Sequence, residues 1–144
     1  LDLRIIASAS RGHLPRQRFS ILDVSLDGWN NPGALRSLVT HPYEGEKALG
    51  FTWEHHFRTL PFEWLGWDGL VRRSIGVTLY GGHGRMWISD TRLAQLPDTP
   101  QYQDQFHHEI GVSINGILSL FRIDLTQRLD RSQFMLGMGI ARLF

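Results

Sequence analysis

The sequence predicts an all-β protein made of long antiparallel strands. Two observations carry this. Apolar and polar residues alternate with a period of two over six stretches, and a two-residue period sends successive side chains to opposite faces of a strand. The stretches run roughly 9–15 residues, longer than the ~5–6 of an ordinary globular strand.

The stretches follow in order. Leu3 to Arg11 sets Leu3, Ile5, Ala7 and Ala9 against Arg4, Ile6, Ser8 and Ser10. Lys47 to Arg58 alternates most cleanly, with Leu49, Phe51, Trp53, His55 and Phe57 against Ala48, Gly50, Thr52, Glu54, His56 and Arg58. Ser74 to Ile88 starts with Ile75, Val77 and Leu79 against Ser74, Gly76, Thr78 and Tyr80 and then meets Gly81-Gly82-His83-Gly84. Glycines inside a strand mark a bulge, a bend or a close backbone approach. Phe106 to Asn115 puts Phe106, His108, Ile110, Val112 and Ile114 on one face and His107, Glu109, Gly111, Ser113 and Asn115 on the other. Leu118 to Leu129 opposes Phe121, Ile123, Leu125 and Leu129, with Gln127 as an exception, to Arg122, Asp124, Thr126 and Arg128. The last stretch, Ser132 to Phe144, has Phe134, Leu136, Met138, Ile140 and Phe144 on one face, interrupted only by Arg142.

The connectors differ in character. Residues 12–46 form a long loop with Pro15, Asn30, Asn31, Pro32, Gly33 and Pro42, and residues 89–105 form another with Pro97 and Pro100. Asn115-Gly116 and Asp130-Arg131 suit tight reversals. Residues 59–73 mix Phe62, Trp64 and Trp67 with Glu63, Asp68, Arg72 and Arg73, a blend suited to a membrane–water boundary. Almost no helix and no internal repeat is expected, and residues 1–144 read as one domain segment.

Composition narrows the function classes. A net charge of +1 argues against a dedicated nucleic-acid binder. The absence of cysteine removes disulfides and thiolate metal sites, and fits an exported protein. No apolar run approaches the ~20 residues of a membrane helix. The chain begins at Leu1 and reads as a mature segment or a piece whose start is missing.

Alternation alone does not tell a soluble barrel or sandwich, apolar side inward, from a membrane barrel, apolar side to lipid. The polar faces combine Gly, Ser and Ala with Glu54, Glu109, Arg122, Asp124 and Arg128, while Lys47 is the only lysine. Small residues among opposite charges suit a crowded, ion-paired interior. These five could line a selective path, but a structural salt-bridge network is favoured. His56, His107 and Glu109 could share one face, yet zinc needs three or four converging ligands, so no metal or other cofactor is expected. Ser113 and Ser119 have no plausible His–Asp setting, so no enzyme is expected.

The order of the segments carries a resemblance. Leu14-Pro15-Arg16-Gln17-Arg18-Phe19, then Tyr43-Glu44-Gly45-Glu46-Lys47-Ala48-Leu49 with Glu54-His55-His56-Phe57, then Leu79 to Trp87, then Gly111-Val112-Ser113-Ile114 with Phe121 to Leu125 and the terminal strand, resemble the C-terminal part of BamA-like outer-membrane barrels, the bacterial surface-antigen superfamily. The match resembles most an uncharacterised Gram-negative branch of it. The resemblance implies a transmembrane, antiparallel, up-and-down barrel of sixteen strands, of which these are the last six, in the cell outer membrane. It implies a role in outer-membrane protein assembly or translocation. Lipid, the barrel-assembly machinery and the upstream remainder of the barrel would be its partners. The family's sixth loop inserts an arginine into the lumen, which Arg36 would supply, although Leu35-Arg36-Ser37-Leu38 lacks the family's Gly and aromatic residue. Phe134, Leu136, Met138, Ile140 and Phe144 would form the C-terminal assembly signal. Residues 12–46, 89–105 and 130–131 would be extracellular, and residues 59–73 and 115–116 periplasmic. The rivals are a soluble β-barrel binding a small apolar ligand and a metal-dependent enzyme using the histidines.

Overall fold

In a computed structural model, residues 1–12, 15–22, 24–25, 33–39, 42–100 and 105–140 are described. The protein is mainly β. Six strands form one sheet: β1 (Asp2–Ala9), β6 (Lys47–Arg58), β7 (Gly76–Trp87), β8 (His107–Ile117), β9 (Phe121–Arg128) and β10 (Gln133–Ile140), in the order β1-β6-β7-β8-β9-β10. Every neighbouring pair is antiparallel. Among the described residues no strand pairs with the outer edge of β1 or β10. All six alternating stretches form the six strands, with ends shifted by a few residues. Phe144 and Arg142 lie outside the described residues, as do Leu14, Asn30, Asn31 and Pro32.

Four connectors differ from expectation. Residues 12–46 are more than a loop. They hold a 3-10 turn (Arg16–Arg18), β2 (Ser20–Leu22) paired antiparallel with β5 (Tyr43–Gly45), and β3 (Val24–Ser25) paired parallel with β4 (Leu35–Val39). Runs of two to five residues are too short to establish a period. Residues 59–73 contain two short helices, α1 (Leu60–Trp64) and α2 (Asp68–Arg72), missed for the same reason. Another, α3 (Asp90–Leu93), lies in the 89–105 connector, and no described helix is long and apolar enough to cross a membrane. The Asn115-Gly116 pair is a bulge rather than the reversal. Gly116 takes φ +83°, and a Cβ there would sit 2.5 Å from the Ser74 carbonyl oxygen. The chain turns at Leu118 and Ser119, both with positive φ. A left-handed glycine is what a bulge of this kind requires, so Asn-Gly serves a bulge as readily as a turn.

The described parts of the 15–45 segment cover one face of the sheet, the inner face. The segment's β4 packs against β7, β8, β9 and β10. The glycine interruption in β7 explains the fit: the strand runs straight through it, and a Cβ on Gly82 or Gly84 would come within 2.8 Å of Leu35 or Leu22. Leu22, Leu35, Leu38, Tyr43, Ala48 and Met86 form a small apolar cluster between segment and sheet.

Beyond that cluster the burial pattern is inverted. On the inner face Glu54, Thr78, His107, Glu109, Ser113, Arg122, Asp124, Thr126 and Arg128 are buried. On the outer face Leu3, Ile5, Ile110, Val112, Ile114, Ile123, Leu125, Phe134, Leu136, Met138 and Ile140 are exposed. Charged groups are ordinarily the last to be fully buried, and then only when paired.

Both ends of the outer face are aromatic. At the end near the long connectors, Phe51 stacks on His83 at 5.9 Å and Phe106 on His108 at 5.7 Å. The two imidazoles bond each other, Nδ1 to Nδ1, at 2.8 Å. The Arg85 guanidinium lies 4.8 Å from the Trp87 ring centre. At the opposite end, α1 and α2 present Trp64 and Trp67, both exposed.

Candidate functional site

The inner face of the sheet converges on Arg36. Strand alternation aims Glu54 of β6, Tyr80 of β7, Ser113 of β8 and Arg122 and Asp124 of β9 at one region, and β4 delivers Arg36 into it. The Arg36 guanidinium pairs with the Glu54 carboxylate and lies 3.3 Å from Asp124 Oδ1. Arg122 bridges the same two acids, 2.8 Å from Asp124 Oδ1 and 3.3 Å from Glu54 Oε2. Ser113 hydroxyl donates to Asp124 and accepts from Arg122 Nη2 at 2.7 Å. Two arginines and two carboxylates therefore neutralise one another out of water, the condition under which buried charges are tolerated.

Tyr80 is the floor of this network. The Arg36 guanidinium carbon sits 3.7 Å from the Tyr80 ring centre, a cation–π contact made where solvent is excluded. The ring lies across Gly111, its cross-strand partner, and reaches Thr126, hydroxyl to hydroxyl at 2.5 Å. A Cβ on Gly111 would meet the Tyr80 ring and the Leu125 carbonyl oxygen, each at 2.4 Å. Gly111→Ala is therefore expected to lift Tyr80 off its seat and cost about 1–3 kcal/mol, as overpacking does. Denaturant unfolding measures this, and an unchanged midpoint would contradict it.

Glu109 does separate work. Its carboxylate accepts the backbone N–H groups of Arg36 at 2.7 Å and Ser37 at 2.9 Å, and the Ser37 hydroxyl at 2.5 Å. His107 Nε2 lies 2.9 Å from the same carboxylate. β4 is thus gripped by its main chain as well as by its arginine side chain.

Arg128 stands apart from Arg36. It makes two hydrogen bonds to Asp130, at 2.6 and 2.8 Å, and one to the Tyr43 hydroxyl at 3.2 Å. Burial pushes the Tyr43 hydroxyl above its ordinary value, against the pull of Arg128. Burial acts to raise Asp130, but the hydrogen bond and charge of Arg128 hold its carboxyl below the usual range. This pair ties β5 to the turn after β9.

The sequence-predicted residues therefore fall into three groups. Arg36, Glu54, Arg122 and Asp124 come together, Glu109 holds the adjoining backbone, and Arg128 closes a second contact nearby. Phe134, Leu136, Met138 and Ile140 lie exposed on the outer face of β10, remote from the cluster, while Phe144 is outside the described residues. The three residues weighed as metal ligands do not converge. His107 adjoins Glu109, whereas His56 bonds Thr78 at 2.9 Å and Asp2 at 3.1 Å. Among the described residues no group of three or more such ligands suits a metal.

Sequence reasoning missed Ser37, Tyr43, Tyr80, Thr126 and Asp130 as members of these networks. Parity placed Tyr80 and Thr126 on the inner face, and a residue-by-residue reading of that face would have found both. Nothing in the sequence pairs Ser37 with Glu109 or Asp130 with Arg128. Chemically, the arrangement locks a segment onto a sheet. Comparisons with known protein families, with curated proteins and with solved structures gave no match.

Proposed function

We propose that this chain is the C-terminal six-stranded part of a bacterial outer-membrane β-barrel of the BamA-like kind, acting in protein insertion or translocation at that membrane. The single observation that carries the membrane reading is the inversion. Among the described residues eleven buried polar or charged residues match ten buried apolar ones, while twenty-three large apolar residues are exposed. In water such a surface would be an aggregation liability. In a bilayer it is the expected arrangement, apolar side chains to lipid and polar ones to the lumen.

Dimensions and girdles support the same reading. The twelve residues of β6 reach about 40 Å along the strand, and about 28 Å of height at a 45° tilt, close to the hydrocarbon thickness. Aromatic residues border the aliphatic band at both ends, as at membrane interfaces. The two unpaired edges call for further strands, since the small end of the known barrel range is ~8. In this reading the 15–45 segment is an extracellular loop folded into the lumen and held there by Arg36.

The soluble rival fares less well. A pocket for an apolar ligand needs apolar walls, and the covered face of this sheet carries ion pairs and is occupied by β4. Membrane fractionation of the full-length protein tests the proposal. Recovery in the outer-membrane fraction, with release only by detergent, is expected. A monodisperse soluble protein without detergent would overturn it. The assembly signal is tested separately: deletion of Phe144 is expected to lower outer-membrane insertion more than Leu143→Ala does, and equal insertion of the two would argue against a signal at the terminal aromatic.

A further inference from the structure

The end of the sheet opposite the long connectors carries a surface that neither the network nor the aliphatic band explains. Trp64 is 79% exposed and Leu118 82%, and Leu60, Leu65, Trp67 and Leu120 are exposed with them. These side chains come from two tips, the α1–α2 connection between β6 and β7 and the turn between β8 and β9. The tips are neighbours, because Gly116 packs directly on the Ser74 carbonyl that follows α2. The exposure is built in, not frayed. Phe62 is buried and stacks on Trp67 at 5.9 Å, which fixes α1 with Trp64 and Leu65 turned away.

The charges beside the indoles have a sign. Residues 58–73 hold Arg58, Arg72 and Arg73 against Glu63 and Asp68. Glu63 is engaged by the Thr59 hydroxyl at 2.5 Å. All three arginines are exposed, and among the described residues none of their guanidinium groups has a hydrogen-bond or ion-pair partner. Indole rings settle at the headgroup level of a bilayer, and guanidinium groups match phosphate oxygens in a bidentate fork. Exposed tryptophan and leucine beside unpartnered arginines is the chemistry of a surface that enters a headgroup layer and favours anionic lipid.

We propose that the α1–α2 connection and the adjoining Leu118–Leu120 turn form a phospholipid-docking surface with a preference for anionic headgroups, Arg72 and Arg73 supplying the preference and Trp64, Leu65 and Trp67 the insertion. It rests on the membrane reading above, and adds to it a chemical class of lipid and the residues that select it.

The test uses the full-length protein reconstituted in vesicles, with spin-labelled phosphatidylglycerol and spin-labelled phosphatidylcholine as probes. The motionally restricted share of the phosphatidylglycerol label is expected to exceed that of phosphatidylcholine by about threefold at low salt, from the attraction of two basic residues to an anionic surface. The preference should fall to parity in the double variant Arg72→Gln/Arg73→Gln, while the restricted phosphatidylcholine share stays unchanged. No preference in the wild type, or one that survives in the double variant, overturns the docking surface while leaving the membrane reading intact. If neither lipid is restricted, the membrane reading fails and this inference with it. A photo-crosslinker introduced by Trp64→p-benzoylphenylalanine is expected to capture lipid. Capture of a protein instead would assign the surface to a protein partner and overturn the lipid assignment.

Discussion

Leu125→Arg is expected to destabilise the protein folded in phospholipid vesicles by about 2–4 kcal/mol, the cost of a cation on the lipid face near the bilayer midplane. Leu125 sits at the middle of β9 on the outer face, between Val112 and Leu136 on the neighbouring strands. The same substitution on a face that met water would fall within about 0.5 kcal/mol of neutral. Leu129→Arg gives the depth control. Leu129 is exposed in the turn that follows β9, where a membrane interface costs a cation only about 0–1 kcal/mol. Reversible urea unfolding in vesicles measures both variants. Equal, near-neutral effects at the two positions would show that the apolar face does not meet hydrocarbon.

Arg36→Ala is expected to cost about 3–5 kcal/mol, because it removes one partner of a buried ionic network and leaves carboxylates without compensation. Glu54 and Asp124 would keep their pairing with Arg122 but lose that with Arg36. The Arg36 contact with Tyr80 would go as well, while the main-chain bonds to Glu109 would remain. The variant should unfold at lower temperature, and proteases should cut the 15–45 segment faster than any other part of the chain. Arg36→Ala/Glu54→Gln should recover part of the loss by removing the surplus negative charge. Undiminished stability and protection in Arg36→Ala would mean that the network does not hold the segment.

The sheet was legible in the sequence because its strands are long. Eleven or twelve residues give a period of two many chances to register, as in β6 and β8. The inner-face charges were legible for the same reason: parity alone assigns Glu54, Glu109, Arg122, Asp124 and Arg128 to one side once the strands are drawn. Arg36 came from a resemblance, since five residues of β4 carry no usable period. What stayed hidden depends on contacts between distant parts. The grip of Glu109 on the Arg36 and Ser37 amides is a main-chain interaction and leaves no trace in residue type. The helices at 60–64 and 68–72 are each little more than one turn, below what periodicity can detect. The Asn115-Gly116 pair was misassigned because its backbone preference serves two local shapes, and only the neighbouring Ser74 carbonyl decides between them.

The arginine network also sets an order of events. Arg36 and Asp124 are separated by 88 positions, and Arg36 and Glu109 by 73. A chain made from its N-terminus exposes Arg36 long before either acid exists, and the pairs cannot form until β8 and β9 are in register. Loop closure over such a distance is slow compared with hairpin pairing between neighbours. The full set of partners around Arg36 thus forms only on a finished wall, and a register slip of one residue in β9 would turn Asp124 and Arg122 outward and remove both from it. Complete pairing of Arg36 therefore requires β9 to be in register with the rest of the wall.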